Sequence, residues 1–450
     1  MGPDRGVGPT AAAYALGMWS TGWNRRPDSA VDLSGGMHVD FEDIDLLDRD
    51  RFTQGIPHEW FTWLRANAPV YHHPEPGGPG FWVVTRYDDI VACNRDAQSF
   101  SSAQRLGGVV GLEGPTESPP GMEAGGNMML FMDPPDHTRY RKLVNRGFTP
   151  RMIGALEAHV RDLTARIVDD ALAKGECDFV VDVAAELPLE VIAELIGVPH
   201  EDRHKIFDWS NRFVGSEDPE YLVSPELVME AQVEMFTYAQ ALADQRRAEP
   251  RDDIVSALLE AEIDSDRLTD MDFNMFFMLL SVAGNETTRN AIAHGMNAFL
   301  EHPDQYELLA SDPEAYLSSA TEEILRWASP VMYFRRNATR DVQVRDQTIA
   351  AGEKISLWYI SANRDEDVFD DPFTFDITRY PNPHIAFGGG GPHFCLGAQL
   401  ARLEIRLLFE QLVERVPRVE ALDPPDRLRS NFIGGIKHLP VRLHRQTVGV

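Results

Sequence analysis

Phe387-Gly388-Gly389-Gly390-Gly391-Pro392-His393-Phe394-Cys395-Leu396-Gly397 is the stretch around which the chain is organised. Its four consecutive glycines leave a backbone able to lie flat against something large and planar. Directly after it, Ala398 to Val416 places apolar residues at Leu400, Leu403, Ile405, Leu407, Leu408, Phe409 and Leu412, which predicts a buried or amphipathic helix. Cys395 therefore stands where a glycine loop meets a helix start. The helix dipole and the free N–H groups there favour a thiolate, and a thiolate is a strong axial ligand for iron. No Gly-Lys-Ser/Thr follows the glycines, which argues against a phosphate-binding loop. A lone Cys is ordinarily a small buried hydrophobe. The glycine run, with His393 two residues before the Cys and Gly397 two after it, shifts the reading to a ligand.

The bulk numbers narrow the function classes. At 450 residues with 43% hydrophobic content, the chain has material for a sizeable core. Its formal charge of −29, from 71 acids against 42 bases, argues against nucleic acid or an anionic membrane as partner. Three cysteines, Cys93, Cys177 and Cys395, make no disulfide framework and suit a reducing cytoplasm. Residues 1–38 are rich in Gly, Pro, Ala and Ser and predict a disordered tail, leaving 39–450 as a single domain. The longest apolar stretch in that tail, Ala11 to Trp19, is too short to span a bilayer, so no membrane anchor is expected.

Further upstream, Asp133-Pro134-Pro135-Asp136-His137-Thr138-Arg139-Tyr140-Arg141 predicts a helix start with Asp136 as cap. His137 and Arg141, four apart, share a face and can hold a carboxylate. Helices are predicted over Pro57 to Asn67, Tyr87 to Cys93, Arg151 to Ala173, Leu187 to Ile196, Pro225 to Arg247 and Pro313 to Trp327. A further short helix follows Asp252-Asp253, from Ile254 to Glu260. Strands are predicted at Phe81 to Thr85, Val342 to Val344, Ile355 to Ile360 and Val441 to Leu443. A hairpin is predicted at Asn431 to Ile436, and a long loop, of the kind that is usually functional or mobile, from Ser101 to Met129.

The longest helix candidate runs from Thr269, with Asp272 completing a capping box, to about Glu301. Asn274, Ser281, Asn285, Glu286 and Arg289 make it a core helix rather than a membrane span. Its middle reads Ala283-Gly284-Asn285-Glu286-Thr287-Thr288. A glycine, a buried acid and two β-branched residues all disfavour a buried helix, and such local failures mark function. Thr287 can return its hydroxyl to the Ala283 carbonyl and open a groove. An acid and an alcohol in a groove suit proton relay.

Taken together, these motifs resemble the cytochrome P-450 superfamily over roughly residues 40 to 445. The family's usual aromatic stands where Gly388 stands here, and Phe387 lies one residue further back. The loop is thus one glycine longer, as in an actinobacterial branch that oxidises sterols and methyl-branched lipids. The resemblance implies a mainly α fold with a smaller β-rich lobe. It also implies haem b between the long helix and the Cys395 loop. By resemblance, Cys395 is the iron ligand, Ala283-Gly284-x-Glu286-Thr287 the oxygen-activating motif, and Glu286 and Thr287 the proton-managing pair. His137, Arg141, Arg336 and His393 match propionate-binding positions, while Phe387, Gly388 and Gly397 belong to the haem loop. Glu323, Arg326 and Arg379 match a structural charge network that steadies it. Trp209, Phe213 and Val214 fall where the family roofs its pocket.

The implied activity is monooxygenation of an apolar substrate with dioxygen, two electrons and two protons. A separate ferredoxin and its reductase would deliver the electrons from NAD(P)H, since the chain carries no flavin or nicotinamide motif. Sterols, steroid side chains and methyl-branched lipids are the expected substrates. A terpene-alcohol hydroxylase, a peroxide-driven haem-thiolate enzyme and a non-enzymatic haem sensor or carrier are the rivals.

Overall fold

The computed structural model describes residues 31–33, 37–39, 41–114, 128–214, 218–221, 224–251, 254–263 and 266–445. Most of the segment expected to be a tail, the residues Asp252 and Asp253, and much of the long loop expected from Ser101 to Met129 lie outside these residues. Within the expected tail, Val31–Leu33 pairs with Met37–Val39.

The β-rich lobe comes first. Helix α1 (His58–Asn67) turns Trp60, Phe61, Trp63 and Leu64 inward. Strands β1 (Val70–His73) and β2 (Phe81–Val84) follow, then α2 (Tyr87–Arg95) and a short β3 (Phe100–Ser101). All four residues of β2 are buried, as its unbroken apolar run requires of a central strand. Much later in sequence come β4 (Tyr333–Ala338) and β5 (Lys354–Trp358), which complete a sheet in the order β1-β2-β5-β4-β3. Ile355 lies opposite both Trp82 and Arg336, so the register fixes where Arg336 points. The expected strand to Ile360 ends at Trp358, because Tyr359–Ala362 turns into a short helix.

The helical body comprises α3 (Asp136–Val144), α4 (Pro150–Lys174), α5 (Glu186–Leu195), α6 (Arg203–Val214), α7 (Pro225–Ala248), α8 (Asp270–Glu301), α9 (Pro303–Ser311), α10 (Pro313–Ala328) and α11 (Ala398–Arg415). Thr269 and Asp272 form the expected capping box at the start of α8. Phe273, Phe276 and Phe277 of α8 are buried in the largest core cluster. Full burial of such a side chain contributes about 1.5–3 kcal/mol. With 32 residues, α8 spans about 48 Å. Among the described residues no helix is long and apolar enough to cross a membrane. A small C-terminal hairpin, Asp426–Arg427 with Ile436–His438, brackets the turn expected at Asn431 to Ile436.

Two local expectations are corrected. Asp136 is the first residue of α3 and not its cap, which is Pro135. Asp133 instead uses its carboxylate on the backbone N–H of Ser102 and the hydroxyl of Ser101, tying the α3 approach to β3. Trp209 does not face the cavity described below. Its indole donates to Glu234 at 2.8 Å and packs on Tyr238 of α7, so it is core. Phe213 likewise packs at the edge of the core.

Candidate active site

The glycine loop closes on itself before α11 begins. Gly388, Gly389, Gly390 and Gly391 all have positive φ, between 64° and 101°, a region open to glycine and strained for other residues. At Gly391 the packing excludes any side chain as well, because a Cβ would meet the Asn94 carbonyl oxygen at 2.2 Å. The turn brings the Cys395 N–H onto the Phe387 carbonyl at 3.0 Å. Phe387 lies under the Arg402 guanidinium, 4.6 Å from its ring centre.

The loop is braced from outside. The Glu323 carboxylate accepts from Arg326 at 2.7 and 2.8 Å, from Arg379 at 3.2 and 3.3 Å, and from Asn382 and the Asp376 N–H at 3.0 Å. Glu323 and Arg326 are both fully buried. The neighbouring acid does a second job. Glu322 holds His384 just before the loop and Arg402 just after it, at 3.0 and 2.6 Å. Burial opposes its ionisation, yet the bonds from Arg402 and His384 hold its carboxyl down at about 2.

A cavity lies between this loop and α8. Cys395, Phe387, Gly388, His393 and Gly397 line one side, and Ala283, Gly284, Thr287 and Thr288 the other. His137, Arg141 and Arg336 line it too, as do Asn94 and Tyr359, which the sequence reading did not single out. Apolar residues, among them Leu130, Phe148, Ile192, Phe276 and Leu280, form much of the remainder. Gly284 has a packing reason for being glycine: a Cβ there would stand 2.8 Å from Ile192 of α5. The Thr287 hydroxyl donates to the Ala283 carbonyl at 2.7 Å, as the spacing predicts.

Glu286 is placed differently from its neighbour. It is 1% exposed, ion-pairs with Arg289 and is absent from the cavity wall, while Thr287 faces the cavity. Arg289 in turn donates to Asn211 of α6 at 3.2 Å. Burial raises the Glu286 pKa even beside Arg289.

The electrostatics of the four basic positions differ from a simple basic face. Burial and the Arg141 charge lower the His137 pKa to about 4, and burial with Arg336 keeps His393 well below the usual range. Both imidazoles are therefore neutral at pH 7, packed 4.1 Å apart, and only Arg141 and Arg336 carry charge. Arg336 reaches only the Arg335 carbonyl and Asn94. Arg141 reaches Asn145. Neither has a carboxylate partner among the described residues, and His137 Nδ1 is buried without a partner. The expectation for Cys395 also needs correction. Desolvation of a side chain that opens only into a deep cavity raises the thiol pKa more than the Gly397 and Ala398 N–H groups and the charges of Arg141 and Arg402, which do favour the thiolate, lower it. The helix start alone does not ionise it; a coordinated metal deprotonates a thiol outright.

One unpaired thiol, two arginines without carboxylates and an orphaned imidazole nitrogen surround one apolar cavity. That donor set fits a flat iron cofactor bearing two carboxylates. The comparisons with known proteins agree. A steroid C26-monooxygenase of Rhodococcus jostii is 44% identical over 407 residues, 89% of this chain and 84% of that protein. The chain belongs to the cytochrome P450 family. The cytochrome P450 family model itself matches residues 314–432. A methyl-branched lipid omega-hydroxylase of Mycobacterium tuberculosis is also 44% identical, over 85% of this chain and 90% of that protein. Among solved structures, a Mycobacterium marinum cytochrome P450 in complex with pseudoionone superposes with a TM-score of 0.82. It is 40% identical and covers 89% of this chain and 98% of its own. This cytochrome P450 is a haem b monooxygenase with a mainly helical fold and a small sheet region.

Proposed function

We propose that this cytochrome P450 hydroxylates a sterol side chain or a methyl-branched lipid at a terminal carbon. The observation that carries the reading is the apolar wall of the cavity between α5, α8 and the Cys395 loop. Such a wall offers a hydrocarbon end no hydrogen bond to orient it, so shape selects the carbon that reacts. The relatives named for steroid C26 oxidation and methyl-branched lipid ω-hydroxylation support this class. A terpene alcohol is the second reading; the structural neighbour's complex with pseudoionone, a ketone, supports its terpenoid skeleton and not its hydroxyl. Spectral titration with cholest-4-en-3-one, a methyl-branched fatty acid and a monoterpene alcohol tests it. Binding of the monoterpene alcohol alone would overturn the sterol and lipid reading.

Within the cavity, haem bound by Cys395 supplies the oxidation chemistry. Arg141 and Arg336 would hold its carboxylates, with His137 as a neutral N–H donor and His393 packed beside it, its one N–H given to the Met132 carbonyl. Residues 39–450 act as one domain. Electrons come from NAD(P)H through a separate ferredoxin and reductase, and the enzyme is cytoplasmic. Thr287 positions a proton-bearing water at the cavity face of α8, and Glu286 feeds that position from the buried Arg289 side.

Thr287→Ala is expected to keep substrate affinity and NADH consumption within a few-fold, while product falls and hydrogen peroxide rises. A tenfold fall corresponds to about 1.4 kcal/mol of lost transition-state preference. Product and peroxide per NADH measured in both proteins check it. Unchanged coupling would leave Thr287 as a packing residue and favour the peroxide-driven alternative.

A further inference from the structure

The stretch of chain that follows β3 is shaped around one buried cation. Arg335 stands on β4 beside Arg336, and successive residues of a strand point to opposite faces. Arg336 turns to the cavity, and Arg335 turns to residues 106–111. Arg335 is 2% exposed and has no carboxylate partner among the described residues. Burial lowers its pKa to about 10, which leaves it charged at pH 7. Its Nη1 donates to the Gly111 carbonyl at 3.2 Å and its Nη2 to the Leu106 carbonyl at 3.4 Å. Nε and Nη2 also reach Asn337 Oδ1, at 3.1 and 2.9 Å. Asn337 in turn donates to the Gly108 carbonyl at 3.0 Å, and the Arg335 N–H to the Val109 carbonyl at 2.8 Å.

Four carbonyls of one short coil are thus taken up by Arg335 and Asn337. Gly107, Gly108 and Gly111, with φ of 98°, 72° and 79°, give the coil the left-handed turns that aim its carbonyls this way. A buried charge without a counter-charge is costly, and a Leu or Met would fill the place without that penalty. What an apolar side chain cannot supply is the guanidinium's rigid fork of donors. The coil held by that fork bears on the cavity wall. Gly108 lies so close to the Phe131 ring that a Cβ would stand 3.1 Å from it. Phe131 sits between Leu130, which with Met129 lines the cavity, and Met132, whose carbonyl accepts from His393.

We propose that Arg335 is a specificity-determining positioning residue. Its guanidinium fixes residues 106–111, these fix Phe131, and Phe131 sets how far Met129 and Leu130 reach into the cavity. Arg335 touches neither substrate nor haem in this role. It decides, through that wall, which carbon of a long apolar substrate is held at the reacting position. The proposal rests on the hydroxylase reading of this cavity. Haem content and a thiolate-type CO spectrum in each variant separate its failure from the failure of that reading.

The test uses the holoenzyme and its Arg335→Met, Arg335→Lys and Phe131→Ala variants. The substrate is cholest-4-en-3-one or a methyl-branched fatty acid, whichever wild type binds more tightly. Arg335→Met removes every donor of the fork. It should raise KM about tenfold while kcat stays within about threefold, the pattern of lost substrate positioning. The share of product hydroxylated away from the wild-type carbon should rise with it. Arg335→Lys keeps the charge but cannot span both carbonyls and Asn337, so it should fall between the two. A purely structural Arg335 would lower Tm and haem content and leave KM and product distribution unchanged. A double-mutant cycle reads the chain of contacts. With Phe131→Ala already present, Arg335→Met should add less than about threefold to KM, because both changes cut the same link. Wild-type KM and product distribution in haem-loaded Arg335→Met overturn the proposal. So do fully additive effects of the two changes. If Arg335→Met does not load haem, an unchanged product distribution in Phe131→Ala overturns it equally.

Discussion

Glu323→Ala is expected to yield little haem-loaded protein. One carboxylate, itself fully buried, accepts from two guanidiniums, one amide and one backbone N–H. Removing it leaves Arg326, fully buried, with a charge and no counter-charge. Its remaining bonds go only to the carbonyls of Asn363, Pro372 and Thr374. Breaking a buried pair in this one-sided way is destabilising by about 3–5 kcal/mol, a large share of the 5–15 kcal/mol that holds a typical protein folded. The damage should be felt at the haem loop first. Asn363 Oδ1 accepts the Ile385 N–H at 2.7 Å, which ties the braced segment to the residues leading into Phe387. Thermal unfolding and haem content per chain measure the effect. Glu323→Ala with wild-type stability and full haem content would show that the carboxylate is dispensable. Glu323→Gln should sit between the two, since it keeps an acceptor and loses the charge.

The Thr287 hydroxyl bond and the capping box were legible because each rests on short-range spacing, whereas the roles of Cys395 and Glu323 were implied by the family resemblance. A hydroxyl four residues after a carbonyl, or an acid three residues before an arginine, fixes its own geometry on any helix. What the sequence did not reveal came from contacts between distant segments. Glu286 and Thr287 are adjacent, but only tertiary packing decides which of them meets the cavity and which meets Arg289. Gly284 read as a functional irregularity, and its glycine is also explained by the approach of Ile192 from another helix. His137 and Arg141 read as a pair able to hold a carboxylate, but burial against distant segments lowers the pKa of His137 and of His393. Asn94 and Tyr359 reach the cavity through the sheet and α2, with no motif of their own.

Cys395→Ala is expected to abolish the monooxygenase activity while leaving the fold in place. The side chain adds little to the packing of the loop, since its exposed surface faces the cavity and not a neighbouring core. The loop's shape rests on the four left-handed glycines and on the Cys395 N–H, which Ala would keep. Glu322 would still clasp His384 and Arg402 on either side. What disappears is the only thiol lining the cavity among the described residues, since Cys93 and Cys177 lie elsewhere in the core and neither lines it. Arg141 and Arg336 remain to bind carboxylates, so the variant should still take up haem, more weakly. Its ferrous–CO complex should lose the long-wavelength absorption of thiolate ligation, because no second thiol can replace it. Product formation should drop by several orders of magnitude, on the scale of the roughly 10⁶-fold or larger accelerations that enzymes provide. Circular dichroism close to wild type would confirm that the loss is one of ligation. A variant that keeps the thiolate-type CO spectrum would place the ligand elsewhere and would remove the basis for the site built around this loop.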